Sequence, residues 1–589
     1  MARTTPDLSR AEALSVTVLD RNERLLRAFT TDDGLWRLPA TTETVDPRYI
    51  AMLVAYEDGR FYRHLGVDPL ATLRAAGQLL RHGRIVSGAS TLTMQVARLI
   101  EGPEPRSFAT KFDQAITALA LERRLSKRQI LELYLRLAPF GGNLEGVRAA
   151  SLAYFGKEPL RLSVAERALL VAIPQSPAAR RPDRSQNAAR RARDRVLARA
   201  LAAGVITPEE ANEARRAPIP RQRRAFPQLA PHLAEAEVAA HPKRLVHRLT
   251  IDRDRQLQLE HLARAHAARL GPHLSAALIA IDHATGEVLS LVGSAGYLDT
   301  ARLGAIDMTD AVRSPGSTLK PFVYGLAFER GIAHPETHIE DRPARFGRYA
   351  PTNFDKDFHG TVTIREALAM SLNIPAVKIL SEVGPLRLAA RLNRAGGRLR
   401  LPDDAEPSLA IALGGAGLTL RDLATLYTAL GRGGEAIPLS YTRPQSGTDH
   451  LPPRPVARLM SSVAAWYVGN ILKGAPPPAN AKGYRIAFKT GTSYGYRDAW
   501  AAGFDGRHVI VAWVGRPDGT STPASPAIAR QHLCCSMPSP SSPSARLPSA
   551  QLPAYSASPT SSSPCPCSVS TAEAQTRRVT SGGDRFSAG

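Results

Sequence analysis

The chain is short of cysteine, of acidic side chains and of long apolar runs. Its four cysteines, Cys534, Cys535, Cys565 and Cys567, all lie beyond residue 533. No disulfide framework or thiolate cluster can therefore organise the first 533 residues, and the Cys-x-Cys pair, with His532 as its one nearby imidazole, is a weak metal signal. Between Met1 and Arg27 nothing approaches the ~20 apolar residues a spanning helix needs, nor the core of a signal peptide. Acidic residues number 53 against 76 Lys and Arg, a net charge of +23, which calls for an anionic partner or surface. The run Arg190-Arg191-Ala192-Arg193-Asp194-Arg195 could bind phosphates, which makes nucleic acid the rival reading, but no nucleic-acid motif accompanies it and no nucleic-acid partner is expected. Anionic headgroups at a membrane surface explain the same charge, as does a solvated arginine face.

The composition divides the remainder. Residues 46–177 read as helical, because Ser126 with Gln129, Ser163 with Glu166 and, just beyond, Thr207-Pro208 with Glu210 are capping boxes opening apolar periodic runs. No strand pattern interrupts them. Residues 178–274 are rich in Arg and Ala, broken near Pro218, Pro220 and Pro227, and are expected to form a helical linker. From 275 the period changes: 277–282 and 287–292 flank a His-Ala-Thr-Gly turn as a hairpin, and 500–504 and 508–515 give two further strands. Helices between Leu319 and Tyr427 would cover that antiparallel sheet. After Thr520 the chain turns Ser/Pro-rich, and 521–589 are expected to be disordered, their abrupt composition suggesting a shifted reading frame.

Three short motifs follow in order: Ser317-Thr318-Leu319-Lys320, Ser371-Leu372-Asn373 and Lys489-Thr490-Gly491-Thr492. A serine and a lysine three apart on one helix share a face, and the later segments can bring a second hydroxyl and a second amine to the same cleft. That is equipment for acyl transfer through a serine ester, with Lys320 as a base once burial and Lys489 have lowered its proton affinity. Ser371 would relay a proton, Asn373 would orient an amide, and Lys489, Thr490 and Thr492 would hold a carboxylate. Gly491 would leave room for a peptide paired along the strand edge.

Upstream, Glu57, Phe61 and His64 fall at i, i+4 and i+7 of an expected helix, a stripe that could wall an acid/base site, with Asp58 beside it. Asp68 before Pro69 reads as an N-cap. The small residues from Ser87 to Ala89 lead into a helix carrying Ser90, Thr91, Gln95 and Arg98, and Lys111 and Gln114 follow.

The stretch 275–519, with Arg313-Ser314-Pro315-Gly316-Ser317 and Lys489-Thr490-Gly491-Thr492-Ser493-Tyr494-Gly495-Tyr496-Arg497-Asp498-Ala499-Trp500, resembles the transpeptidase domain of class A penicillin-binding proteins, and the last run looks most like the 1C subgroup. Residues 46–177 resemble the glycosyltransferase domain of the same proteins. The resemblance implies a mainly α, lysozyme-like glycosyltransferase domain followed by an α/β penicillin-binding domain. It implies polymerisation of lipid II into glycan, with Glu57 as general base and Arg98 and Lys111 facing the pyrophosphate. It also implies acylation of Ser317 by D-Ala-D-Ala stem peptides and by β-lactams. No tightly bound cofactor is implied, a divalent cation being optional for the glycosyltransferase.

Two departures stand out: Gln114 replaces a second glutamate, and Arg136 stands where the family usually has asparagine. The family is anchored in the bacterial inner membrane on its periplasmic side. Because 1–45 carry no such anchor, either the start is misplaced or the anchor has been lost. A monofunctional serine acyltransferase or carboxypeptidase with an idle first domain, and a basic binding protein without activity, are the alternatives.

Overall fold

A computed structural model describes residues 6–74, 90–102, 107–402, 405–443, 457–476 and 486–522, all within one compact unit, Met1–Pro538. The expected disordered tail, its reading frame and the four cysteines lie outside the described residues, as do Ser87 to Ala89.

Two hydrophobic cores organise the unit. The first is helical. Pro47–Glu57 opens on Asp46, whose carboxylate accepts from Arg48 N at 2.8 Å and from Arg167 at 2.6 Å, with Pro47 at the first position, where a missing N–H costs nothing. Leu92–Glu101, Phe108–Arg124, Lys127–Leu137, Val147–Phe155 and Val164–Ala172 follow. Each of the three expected capping boxes forms, at Ser126, Ser163 and Thr207.

Two expectations need correction. Short strands do intervene: Trp36–Arg37 pairs with Leu144–Glu145, which pairs with Pro139–Gly141. They are too short for a period-2 pattern to register. The stretch 178–274 is not a free linker, because its small apolar residues are spaced to be buried. In Gln186–Ala202, Ala189, Ala192, Val196, Leu197 and Ala200 enter the first core. The arginine run there is structural in part: Arg193 is 1% exposed and donates to Ala217 O and Arg215 O at 2.7 Å, satisfying carbonyls that the end of Pro208–Arg216 leaves open.

The second core is built on a five-stranded antiparallel sheet in the order Ala487–Thr492, Asp498–Phe504, His508–Gly515, Ser275–Asp282, Glu287–Val292. Along Ser275–Asp282 the side chains alternate between two layers. Ala277, Ile279 and Ile281 face a core shared with Lys320–Glu329, Leu420–Gly431 and Ser462–Lys473, while Ala276, Leu278 and Ala280 pack on Arg253–Leu270. Burial on both faces explains the unbroken apolar run of that strand.

The N-terminal segment is tied to both cores. Thr17–Leu19 pairs with Leu25–Ala28 and, in parallel, with Val246–Arg248. Arg37, 1% exposed, donates to Glu145 at 2.8 Å and to the carbonyls of Arg10 and Ala13 at 3.0 and 2.6 Å. Arg37→Ala should strand Glu145 with Arg10 alone and cost about 3 kcal/mol, the low end for a broken buried pair. Urea unfolding followed by far-UV circular dichroism should show the first transition at lower denaturant.

Candidate active sites

In the first core, Glu57 is the last residue of Pro47–Glu57. Its carboxylate accepts from Gln95 Nε2 at 2.9 Å and from Gln175 Nε2 at 2.8 Å. Gln175 is in turn held by Arg180, which donates to its Oε1 at 2.9 Å and to Ala172 O at 2.7 Å. Burial pushes the Glu57 carboxyl above its ordinary value, against the opposing pull of the two amides and of Arg180 and Arg199. Beneath it, Tyr49 and Tyr134 are buried with hydroxyls that meet no partner among the described residues, and burial first, then the Glu57 charge, pushes both phenols up. A carboxylate raised toward neutrality and gripped by neutral amides suits a general base.

The expected stripe through Glu57, Phe61 and His64 does not exist. The helix ends at Glu57 because Asp58 leaves it, at φ −158° and ψ 76°, and turns its carboxylate to Leu92 N at 3.0 Å and to His64 Nε2 at 3.1 Å. Phe61 is buried beneath Lys127, whose amine sits 4.5 Å from the ring centroid. Thr91 is also interior, capping the helix through Met94 N at 3.1 Å and donating to Gly66 O. Asp58, Phe61, His64 and Thr91 therefore shape the turn that presents Glu57 and Gln95. Asp68 forms its expected cap on Ala71 N at 3.0 Å. Ser90, Arg98 and Lys111 are exposed and Gln114 is half-buried. Among the described residues no hydrogen bond joins these four to Glu57. Arg136 packs on the N-terminal segment, donating to Ala40 O at 2.9 Å.

In the second core, Ser317 sits in a 3₁₀ turn, Gly316–Leu319, that runs straight into Lys320–Glu329. Trp500 Nε1 donates to Ser314 O at 2.8 Å and Tyr427 to Thr318 O at 3.0 Å, fixing the turn on both sides of the serine. Lys320 is 0% exposed. Its amine donates to Asn373 Oδ1 at 2.6 Å and Ser371 O at 2.7 Å, with Ser371 Oγ at 3.4 Å. Burial, and then the nearby Lys489, pushes this amine well below its ordinary value, against Asp341, which pulls it back. A neutral amine has two hydrogens, which the two short contacts take, leaving a lone pair free to receive a proton.

Asn373 does not present a free amide, because its Nδ2 donates to Thr352 O at 2.7 Å and its own N–H to Asn353 Oδ1 at 2.8 Å. It positions Lys320. Ser371 is held at φ +62°, a conformation costly for a residue with a side chain. Lys489 is buried, its amine 2.9 Å from Thr490 O, and burial lowers it to about 7. Alternation along the strand leaves Thr490 and Thr492 half-exposed.

The Transglycosylase family model matches residues 22–201 and that of the penicillin binding protein transpeptidase domain matches 276–527. Penicillin-binding protein 1B of Haemophilus influenzae is 30% identical over 87% of this chain and 70% of its own length. The chain is a class A penicillin-binding protein. Penicillin-binding protein 1C of Escherichia coli is 48% identical over 84% of the chain, and 1B of Vibrio cholerae 32% over 80%. The chain spans 63% and 64% of those two relatives' lengths.

In this penicillin-binding protein the sequence motifs did not reveal Gln175 or Arg180, which lie in a turn after the helix Val164–Ala172; a lone glutamine between two prolines was their one signal. Gly491 also has a different use from the expected one. A Cβ there would come within 2.4 Å of Pro315 O and 2.8 Å of Thr318 Cγ2, so the glycine admits the serine turn rather than a ligand. Gly491→Ala should push the edge strand off that turn. Because misplacements near 1 Å can cost ~10²-fold, acylation by a fluorescent penicillin should slow by about that factor while the protein stays folded.

Proposed function

We propose that this protein is a bifunctional peptidoglycan synthase, polymerising lipid II at Glu57 and acylating Ser317 with D-Ala-D-Ala stem peptides, which β-lactams mimic. The observation that carries the acyl-transfer half is the buried Lys320 amine, pushed toward neutrality and held between Ser371 and Asn373 three residues after Ser317. In this scheme Lys320 takes the Ser317 hydroxyl proton as Oγ bonds to the acyl carbon. The departing D-Ala amine recovers a proton by way of Ser371, and an acceptor amine then releases the ester. Lys489, with Thr490 and Thr492, receives the terminal carboxylate. The strand Ala487–Thr492 is the outer edge of its sheet, which suits pairing with an extended peptide.

In the glycosyltransferase half, Glu57 removes the proton of the attacking sugar hydroxyl while Arg98 and Lys111 offset the charge growing on the leaving pyrophosphate. No tightly bound cofactor enters the scheme, and a divalent cation is optional in it. A membrane-surface location is supported by exposed apolar side chains around this half. Phe112, Ile116 and Leu119 form one stripe of Phe108–Arg124, and the segment with Leu65, Leu70 and Leu73 meets that helix where Gly66 abuts Ala118 O. Among the described residues no helix is long and apolar enough to cross a membrane.

Mass spectrometry after penicillin treatment should find the adduct on Ser317, and Ser317→Ala should abolish labelling while glycan polymerisation persists. An adduct on another serine would sink the acyl-transfer assignment. Acylation should follow a bell in pH. It rises as Lys320, with its lowered pKa, loses a proton, and falls as Lys489 does so at about 7, taking the carboxylate-binding charge with it. Lys489→Arg, which stays charged, should remove the falling limb.

For polymerisation, Glu57→Gln should reduce lipid II turnover ~10²- to 10⁴-fold in detergent or vesicles. Gln114 cannot exchange protons near neutral pH, so Gln114→Glu tests whether a second carboxylate speeds the step. If wild type and Gln114→Glu both make no polymer, the first domain is idle and only the acyltransferase half of the proposal survives.

A further inference from the structure

Away from both active centres, the helix Pro231–Ala240 and the strand Val246–Arg248 bring Glu237, His241 and His247 together, their ligand-capable atoms all within 4.8 Å of one another. His247 is 0% and Glu237 8% exposed, while His241 opens to solvent. Nδ1 of His241 stands 3.1 Å and Nδ1 of His247 3.3 Å from one carboxylate oxygen, Oε1 of Glu237.

One observation goes beyond proximity. His247 Nε2 lies 3.0 Å from Arg244 O, and a carbonyl only accepts, so Nε2 carries the hydrogen. A neutral ring would then aim a bare Nδ1 lone pair at a carboxylate oxygen inside the protein, an opposition that needs a cation between them or an extra proton. A ring N–H fixed by a backbone carbonyl is also how metal-binding imidazoles are oriented. The spacing is compatible with metal binding. An imidazolium on a carboxylate closes to ~2.7–2.9 Å. Two donors on a tetrahedral zinc, with arms of ~2.0–2.1 Å, stand ~3.3–3.4 Å apart. The 3.3 Å separation at His247 matches the latter and the 3.1 Å at His241 falls midway, so the spacing admits a metal without demanding one.

We propose that Glu237, His241 and His247 form a site for zinc or a similar divalent transition metal, with a fourth position open to water. The ion would clip the loop 241–245 between the helix and the strand that pairs with Thr17–Leu19. It has two competitors: Arg244, whose guanidinium lies 3.3 Å from the same Oε1 but has a side chain 35% exposed and able to swing outward, and the backbone O of Glu237, 3.3 Å from Nδ1 of His241, which that exposed ring must give up for Nδ1 to face the ion.

The full chain, stripped with chelator and re-equilibrated, should retain about one zinc per molecule against a chromophoric chelator, and zinc should raise its melting temperature. His241 is at the surface, so His241→Ala should fold, lose the thermal shift and bind at least the ~10- to 100-fold more weakly that even outer ligand partners cost. Arg244→Ala should bind more tightly. Cobalt substitution separates this site from the tail cysteines, because nitrogen and oxygen ligands give d–d bands without thiolate charge transfer. Zinc retention that is absent, or unchanged in His241→Ala, or a thiolate band at one equivalent of cobalt, overturns the site. In each case the cluster is then an imidazolium–carboxylate pair. Failure of Arg244→Ala to tighten binding would count against it too.

Discussion

The half of the molecule that carries Ser317 depends on three backbones lying closer than side chains would allow. A Cβ on Gly316 would fall 2.5 Å from Thr492 O, one on Gly414 would fall 2.4 Å from Gly316 N, and Gly491 meets Pro315 O in the same way. Gly316 and Gly414 also hold φ +54° and +91°, which only glycine adopts cheaply. This contact sets the depth of the serine turn against the sheet edge, and so brings Lys489 near enough to bear on Lys320. Without it the lowered proton affinity of Lys320 would rest on burial alone.

Around that contact lies a chain of polar support. Asp341, 0% exposed, accepts from Asn353 Nδ2 at 3.0 and 2.8 Å and from His359 N at 2.9 Å. Asn353 receives Asn373 N, and Asn373 receives Lys320. The network joins the hairpin His338–Asp341 and Gly360–Thr363 to the amine through fixed dipoles. The first site uses the same economy with different groups: Arg180, Gln175 and Gln95 hold a single carboxylate by neutral amides.

The parts of this arrangement that were legible in the sequence are those carried by local chemistry. Ser126, Ser163 and Thr207 announce their helices because a cap needs only residues three apart, and Ser275–Asp282 announces itself by an apolar run. The order of Ser317, Lys320, Ser371, Asn373 and Lys489 likewise points to one cleft. Tertiary choices were not legible. Nothing local says that Asp58 will leave its helix to hold Leu92 N, which is why Phe61 and His64 turn inward. Nor does an arginine-rich composition reveal that Arg193 is buried as a carbonyl partner. Gln175 reaches Glu57 only because two elements separated by more than a hundred residues meet.

The parallel pairing of Thr17–Leu19 with Val246–Arg248 bears on the order in which the chain assembles. The first strand leaves synthesis roughly 230 residues before its partner, and a loop of that size costs entropy that only a preformed structure offsets. The helical core between them is local in sequence and can fold first, bringing the two strands together as it does. The sheet that receives the serine turn would then be nucleated from a frame already closed by the other half. Maturation of the Ser317 centre would then follow closure of the first core, and a cut between the two halves would part Val246–Arg248 from the strand it pairs with.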